Sequence, residues 1–527
     1  MSRHVKIVVG LLLLGAAAII AARFLLPMWQ DRAMKATSDA RATKGTITLA
    51  MDDWVGYAPL CSDQMKTRMR QAGYILECVN DAADYPGRME KLRKQKVQMA
   101  VATVDSYLLN GARDNFPATI VAVLDESFGG DAIIARKSRY ESLDALKSAP
   151  DLKVALTPNS PSEHLAKAAA VHFDIPALKG ADKTWQLPTD GAEKAARKLL
   201  DGEVDVAVLW EPNVSRVLEK GDGDFVKLLG TEVTAKLIVD ILLVNRECAR
   251  EHPEAVRTLL ANYFHTLKYF RDNPAELRND IKKVTGISGG QVDAMLEGVK
   301  WASLTDNAQH WFGISSFGAM PDEGLVETIE GAVRILVGSG DFPASPLPDH
   351  DPYRITDSRF VADLFQGGSS AGQFTGTANG PVIPANAAAA AAAFPALSPD
   401  GWNKLREVGT LQVRPIIFQS GTATLSYAGK LELDQAAESL KHYPNFRVLI
   451  KGHTSTRGDA AANQALSLAR AEAVKRYLSV THGLDANRAR AVGFGGERPL
   501  PRLPGEPFRA YTYRLPRVEL MLVTEVL

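Results

Sequence analysis

Several stretches of this chain place aromatic, acidic and hydroxyl side chains at spacings suited to holding a small molecule. The first is Met51-Asp52-Asp53-Trp54-Val55-Gly56-Tyr57-Ala58-Pro59-Leu60, which follows an apolar run and precedes a helical pattern. Ligands of open α/β sheets bind outside the carboxyl ends of strands, so a loop there bearing Trp54, Gly56 and Tyr57 is well placed. The two rings offer flat faces, and Gly56 lets a ligand approach the backbone; the competing reading puts both rings in the core. Asp105 and Asp131 add carboxylates, and Val208-Leu209-Trp210-Glu211-Pro212 adds a further ring and a third acid. Ser160 and Ser162, in Thr157-Pro158-Asn159-Ser160-Pro161-Ser162, stand ahead of a helix. Their hydroxyls and the free N–H groups form a natural anion site, or serve simply as N-caps. The acids suit an amine or a hydrogen-bond-rich ligand and the helix start suits an anion. The expected ligand is therefore a small polar or anionic solute, a zwitterion or heterocycle among the candidates.

No HExxH, P-loop or Cys/His pairing occurs, so the chain is read as no enzyme, and no cofactor is implied. The three cysteines, Cys61, Cys78 and Cys248, form no CxxC, which argues against a zinc site. An oxidising compartment permits a Cys61–Cys78 bridge, with buried free thiols as the alternative. Lys plus Arg and Asp plus Glu both number 61. With no net charge and no long basic run, nothing points to nucleic acid.

The elements that position these residues are legible as alternation. Strand-like runs at 46–51, 97–101, 119–124, 133–135, 154–157, 206–209 and 238–244 alternate with helical patterns at 62–72, 85–94, 162–172 and 192–201. This predicts an α/β fold of βαβ units and parallel sheets over residues 45–366. Residues 367–401 turn to Gly, Pro and Ala and read as a linker. Residues 402–527 form a final compact unit, with a strand pattern at 446–450, helical spacing at 464–479 and a last strand at 517–523.

At the other end, Arg3, His4 and Lys6 precede an apolar stretch over residues 7–29 interrupted by Arg23. A cleaved signal peptide and a membrane anchor compete here. The stretch runs past the candidate cleavage site at Ala16-Ala17-Ala18, which favours a transmembrane helix over residues 1–29, with residues 30–44 as a tether. The basic start stays inside, so the expected location is the bacterial inner membrane, single-pass, with the bulk in the periplasm. The span holds no Asp or Glu, which argues against an ion-driven motor.

Taken in order, the loop at 51–60, Ala102-Thr103-Val104-Asp105-Ser106-Tyr107, Asp125-Glu126-Ser127-Phe128-Gly129-Gly130-Asp131-Ala132-Ile133, the Ser160 loop and the Trp210-Glu211-Pro212 triplet resemble periplasmic solute-binding proteins of the nitrate/sulfonate/taurine/thiamine-precursor type. The resemblance implies two α/β lobes that close on a ligand, and an ABC permease or signalling protein as partner. Val448-Leu449-Ile450-Lys451-Gly452-His453-Thr454-Ser455, then Asn463, Leu466-Ser467-Leu468-Ala469-Arg470-Ala471, Val492-Gly493-Phe494-Gly495 and Arg517-Val518-Glu519 resemble the OmpA-like domain. That resemblance implies a βαβαβ-type sheet opening at Ile417-Phe418, and peptidoglycan binding through Thr454, Ser455, Asn463, Arg470 and Arg517. In the family an acid holds the ammonium of the stem peptide and an arginine fork holds its carboxylate. Arg470 matches the arginine, whereas Ser455 stands where the family has Asp, so altered wall binding is expected. The function this implies is a membrane-anchored solute receptor or sensor attached to the wall. The alternative is a structural bridge between inner membrane and peptidoglycan whose cleft docks a protein.

Overall fold

The computed structural model describes residues 43–149, 151–179, 182–285, 289–314, 322–366 and 394–525. The predicted membrane helix and most of the tether and linker lie outside the described residues. Among those described, no helix is long and apolar enough to cross a membrane.

The first lobe begins with β1 (Gly45–Met51), β2 (Tyr74–Asn80), β3 (Met99–Thr103) and β4 (Ala118–Ser127). The second contains β5 (Asp131–Arg136), β6 (Val154–Leu156), β7 (Gln186–Pro188), β8 (Val206–Trp210) and β9 (Phe225–Gly230). The chain then returns to the first lobe as β10 (Val239–Asn245) and β11 (Val299–Trp301). The sheets are ordered β11-β4-β10-β3-β1-β2 and β7-β6-β8-β5-β9. All of β3 and β4 is buried, as in sheets with helices on both faces. The alternation predicted all-parallel sheets, but both sheets are mixed. β10 runs antiparallel to β3 and β4, and β5 antiparallel to β8 and β9. The reason is that β5 and β10 each receive the chain from the other lobe, without the intervening helix that would turn the strand parallel.

The two crossovers are tied together by one buried hydroxyl. Thr231 Oγ1 accepts from the backbone N–H groups of Gly129 (2.9 Å) and Asp131 (3.1 Å) and lies 2.9 Å from Ser127 Oγ. A third connection spans both lobes. The helix Gly324–Gly338 buries Leu325, Ile329 and Leu336 in the first lobe's core. Beyond its end, Asp341 pairs with Lys167 of the second lobe at 2.8 Å. Cys61 and Cys78 form a disulfide, Cα to Cα 6.2 Å, fastening the turn after β1 to β2.

The C-terminal unit has β12 (Arg406–Thr410), β13 (Arg447–His453), β14 (Ala489–Gly493) and β15 (Arg517–Thr524) in the order β12-β15-β13-β14. Helices Tyr427–Lys441 and Ala460–His482 accompany it. The opening strand is β12, not the expected 417–418. Phe418 makes only an isolated bridge to Leu425, because the chain folds back there and Ser426 N–H bonds the Ile417 carbonyl at 3.0 Å.

A linker between domains suggests independent modules, yet the C-terminal unit packs on the second lobe. Val408, Leu411 and Tyr443 share one apolar core with Leu143, Leu146 and Phe173. Thr410 donates its N–H (3.0 Å) and hydroxyl (2.8 Å) to Asp144, and Gln412 N–H reaches the His172 carbonyl at 2.6 Å. His172 and His442 stack with ring centres 5.4 Å apart, and His172 Nδ1 lies 2.7 Å from the Tyr443 hydroxyl. The contact reaches the returning crossover as well. Ala235 N–H bonds the His442 carbonyl at 2.9 Å, and Asn445 Nδ2 the Glu232 carbonyl at 2.9 Å.

Candidate ligand-binding cleft

The carboxyl ends of β1 and β3 and the start of β10, in the first lobe, face the carboxyl end of β8 and the start of β5, in the second, across the gap between the lobes. The cavity there offers about 30 Å³ to a water-sized sphere, a narrow space between the two lobes. Four rings line it, Trp54, Tyr57, Tyr85 and Trp210, with Asp52, Asp131 and Asp240. Both lobes contribute, so closing them completes the cavity.

The rings are fixed by acids behind them. Trp54 Nε1 donates to Asp125 Oδ1 at 3.0 Å, and the Tyr57 hydroxyl donates to Asp240. Asp125 and Asp240 are partners in register on the neighbouring strands β4 and β10. Burial holds both carboxyls above the usual carboxylate range, and for Asp240 the neighbouring Asp125 adds to it. Asp131 is pushed up to about 7 by burial, which outweighs its hydrogen bond from Ser127. Asp105 is likewise pushed up to about 7 by burial. The fully buried Arg88 pairs with Asp52 at 3.0 Å and also bonds Asp81 (2.9 Å) and the Val101 carbonyl (2.7 Å).

Of the residues the sequence nominates, Trp54, Tyr57, Asp131 and Trp210 meet at this cavity. Five others stand outside its wall. Gly56 admits no ligand; a Cβ there would lie 2.3 Å from Asp125 Oδ2 and 2.4 Å from Trp54 Nε1, so glycine is required for the indole to reach its acid. Glu211 turns both oxygens to Ser215, accepting from its N–H (3.1 Å) and hydroxyl (2.9 Å), and so caps a helix. Ser160 caps the helix Pro161–Phe173 through Ser162 N–H at 3.2 Å. Ser162 and Asp105 are buried; Ser162 Oγ and Asp105 Oδ1 have no hydrogen-bond partner among the described residues. Sequence reasoning missed Asp52, Tyr85, Asp125 and Asp240. The last two carry a readable signal, an acid inside an apolar run, in Val123-Leu124-Asp125 and Val239-Asp240-Ile241.

These carboxyls set a pH dependence. The ordinary Asp value is 3.8, and the folded values of Asp105 and Asp131 are about 7. Between the two the folded chain holds protons that the unfolded chain has released. The solute-free protein should therefore lose stability as pH rises from about 4 to 7. Asp131→Asn removes one such group. Its melting temperature should overtake that of the parent by roughly 5 °C between pH 5 and pH 8; parallel melting curves across that range would refute the assignment.

In the C-terminal unit, Ser455 and Asn463 meet past the end of β13. Ser455 Oγ (3.4 Å) and Asn463 Nδ2 (2.8 Å) both donate to the Arg457 carbonyl. Arg470 donates to the Thr422 carbonyl at 3.0 Å, lies over the Phe418 ring at 5.1 Å and has no carboxylate partner among the described residues. Thr454 is buried. Arg517 stands beside His453 on the neighbouring strand β15, at the same end of β13, and is no free fork, since it donates to Glu519 at 2.6 Å.

Residues 78–289 match the family described as ABC transporter, phosphonate, periplasmic substrate-binding protein, and residues 417–503 match the OmpA family. The chain thus joins a periplasmic solute-binding domain to an OmpA-family domain, neither of them enzymatic. Over 85 residues it is 35% identical to a peptidoglycan-associated lipoprotein of Rhizobium meliloti (strain 1021), covering 16% of this chain and 48% of that one. Over 85 residues it is 39% identical to the probable lipoprotein YiaD of Escherichia coli (strain K12), covering 16% and 38%. The chain therefore spans half or less of the length of these curated relatives. Among solved structures it is similar to the alkanesulfonate-binding protein SsuA of Xanthomonas axonopodis pv. citri (15% identity, 59% of this chain and 96% of that one, TM-score 0.44). It is also similar to the nitrate-binding protein NrtA of Synechocystis PCC 6803 (14% identity, 64% and 92%, TM-score 0.47).

Proposed function

We propose that this chain is a periplasmic solute receptor held in the envelope at both ends. In this reading the cleft captures a small solute for an ABC permease or a signalling partner. The apolar segment at 7–29 anchors the chain in the inner membrane, and the OmpA-family domain associates with peptidoglycan. The cavity between the lobes, walled by Trp54 and Tyr57 from one and Trp210 and Asp131 from the other, carries the proposal. A solute that binds only the folded, closed cleft raises the melting temperature by mass action. A thermal-shift screen of the chain against sulfonates, phosphonates, amino acids, amines and pyrimidines should give at least one clear stabiliser. A flat response across all classes would transfer support to the structural-bridge alternative, in which the cleft docks a protein.

The docked geometry suits simultaneous attachment. His442–Asn445 contact the second lobe at the start of β13, and Ser455 stands past its end. The seven residues of β13 separate them by about 23 Å at the usual strand rise. The wall-facing loop therefore points away from the receptor. Ser455→Asp restores the acid of the family pattern and should raise retention on purified peptidoglycan roughly tenfold, the range of one charge-assisted hydrogen bond. Arg470→Ala should abolish that gain. Sacculus pull-down reads both, and an unchanged bound fraction in both variants would remove this loop from the wall-binding model.

A further inference from the structure

We infer that the cleft selects an organic cation, a small ammonium compound seated on the aromatic faces with Asp131 and Asp240 as its counter-charges. The inference rests on the receptor reading and narrows it to one chemical class.

Charge comes first. Asp52, Asp131 and Asp240 reach the cavity, and no Lys, Arg or His does so among the described residues. Arg88 neutralises Asp52 from behind. Asp131 and Asp240 have no ion-pair partner among the described residues. One oxygen of Asp131 accepts the Ser127 hydroxyl at 2.7 Å, and the other accepts no hydrogen bond among the described residues. Asp105, itself only 3% exposed with Oδ1 unpartnered, lies close enough for its charge to act on Asp131. Buried carboxyls are satisfied by a cation or by taking up protons. An anionic solute would have to enter against them, whereas a cationic solute supplies the missing partner.

The rings point the same way. Trp54 and Tyr57 spend their only N–H and O–H on Asp125 and Asp240, in the wall of the cavity. What remains for a ligand is the electron-rich face, which attracts an ammonium group most strongly where water is excluded. The helix Pro161–Phe173, which the sequence offered as an anion site, has part of its first-turn donor set already used. Pro161 carries no N–H, Ser162 N–H is held by Ser160 Oγ at 3.2 Å, and His164 N–H by the Ser160 carbonyl at 3.1 Å.

Isothermal titration of the full chain distinguishes the possibilities. The panel is tetramethylammonium, choline and ethanolamine as cations, the uncharged carbon isostere of choline as the neutral control, and methylphosphonate and ethanesulfonate as anions. At least one cation should bind, with choline roughly tenfold or more tighter than its isostere. Asp131→Asn should lose about the same factor for the cation and leave the isostere unmoved. Trp210→Phe, which keeps an aromatic face, should retain most of the affinity and guards against a folding failure of the first variant. Equal binding of choline and its isostere would overturn the inference. So would an anion that outbinds every ammonium compound, although the receptor reading would then stand. If a chain with an intact cooperative melting transition binds none of the six, both the cation inference and the receptor reading fall.

Discussion

Trp54→Ala combined with Trp210→Ala is expected to abolish solute binding, a loss of more than about 100-fold, while the chain stays folded. The two rings stand on opposite lobes of one cavity, so the pair removes an aromatic face from each side. Large buried aromatics dominate such sites, and each truncation alone should cost about 2 kcal/mol or more of binding. The substitutions differ in structural cost. Trp210 is only partly buried, and its indole makes no hydrogen bond among the described residues. Trp54 is 8% exposed, holds Asp125 and passes so close under the crossover that a Cβ on Gly130 would lie 2.3 Å from its ring. Trp54→Ala therefore leaves an orphaned buried carboxyl and a void, and should lower the melting temperature more than Trp210→Ala does. Titration with any stabilising solute checks the affinity, and circular dichroism checks the fold. Undiminished affinity in a folded double mutant would exclude this cavity as the binding site.

Gly409→Val is expected to release the C-terminal domain from the second lobe. A Cβ at this position would lie 2.7 Å from the Phe173 ring and 3.2 Å from Leu143 Cβ, both fully buried, so neither has room to yield. Overpacking of this kind costs about 1–3 kcal/mol, comparable with what a modest interdomain contact contributes. A larger radius of gyration in solution scattering and a separate melting transition for residues 394–525 should mark the release. Acid should act on the same contact. Burial holds both His172 and His442 below the ordinary value of 6.5, and for His172 the neighbouring His442 adds to this. Docked histidines stay neutral while undocked ones take up protons below about pH 6.5, so the docked state loses stability as pH falls through that value. Arg334 also opposes their protonation, and Glu438 weakly favours it at His442. His442→Gln should flatten the acid dependence. Scattering profiles that stay compact for Gly409→Val, and for the parent at pH 5, would show that the contact withstands both changes.

Docking matters because of where it lands. The C-terminal domain holds the second lobe at Asp144 and His172 and the returning crossover at Glu232 and Ala235. Hinge closure of two lobes works through such crossovers. A C-terminal domain clamped there is placed to feel, or to resist, movement of the second lobe.

Much of this was legible in the chain itself. The strand runs fell within a few residues of where the strands lie, and Ser62, Ser160 and Asp459 cap the helices they precede. Local sequence carries such features because strand and helix periodicity and capping act over a handful of residues. The Trp54–Tyr57 loop and the Trp210 triplet were recognisable for the same reason, being contiguous. Two candidates judged by residue type alone are engaged by neighbours that the sequence does not show. Gly56 and Glu211 have the chemistry of a ligand site, but each is consumed by a neighbour, the Trp54–Asp125 contact and the Ser215 cap.

What the sequence by itself determined was the periodicity of its elements, the strand-end aromatics and the motif order of two domains. Tertiary structure alone decided the character of the cleft. Asp125 and Asp240 become neighbours only because β10 returns from the second lobe to insert between β3 and β4. That insertion turns scattered acids into a shared wall. The same holds for the docking face, where His172 meets His442 and Gly409 meets Phe173 across more than two hundred residues. Local patterns set what each segment becomes. Strand order and the burial of one apolar surface against another set which charges and rings face each other, and for those long-range pairings the linear spacing carries no signal.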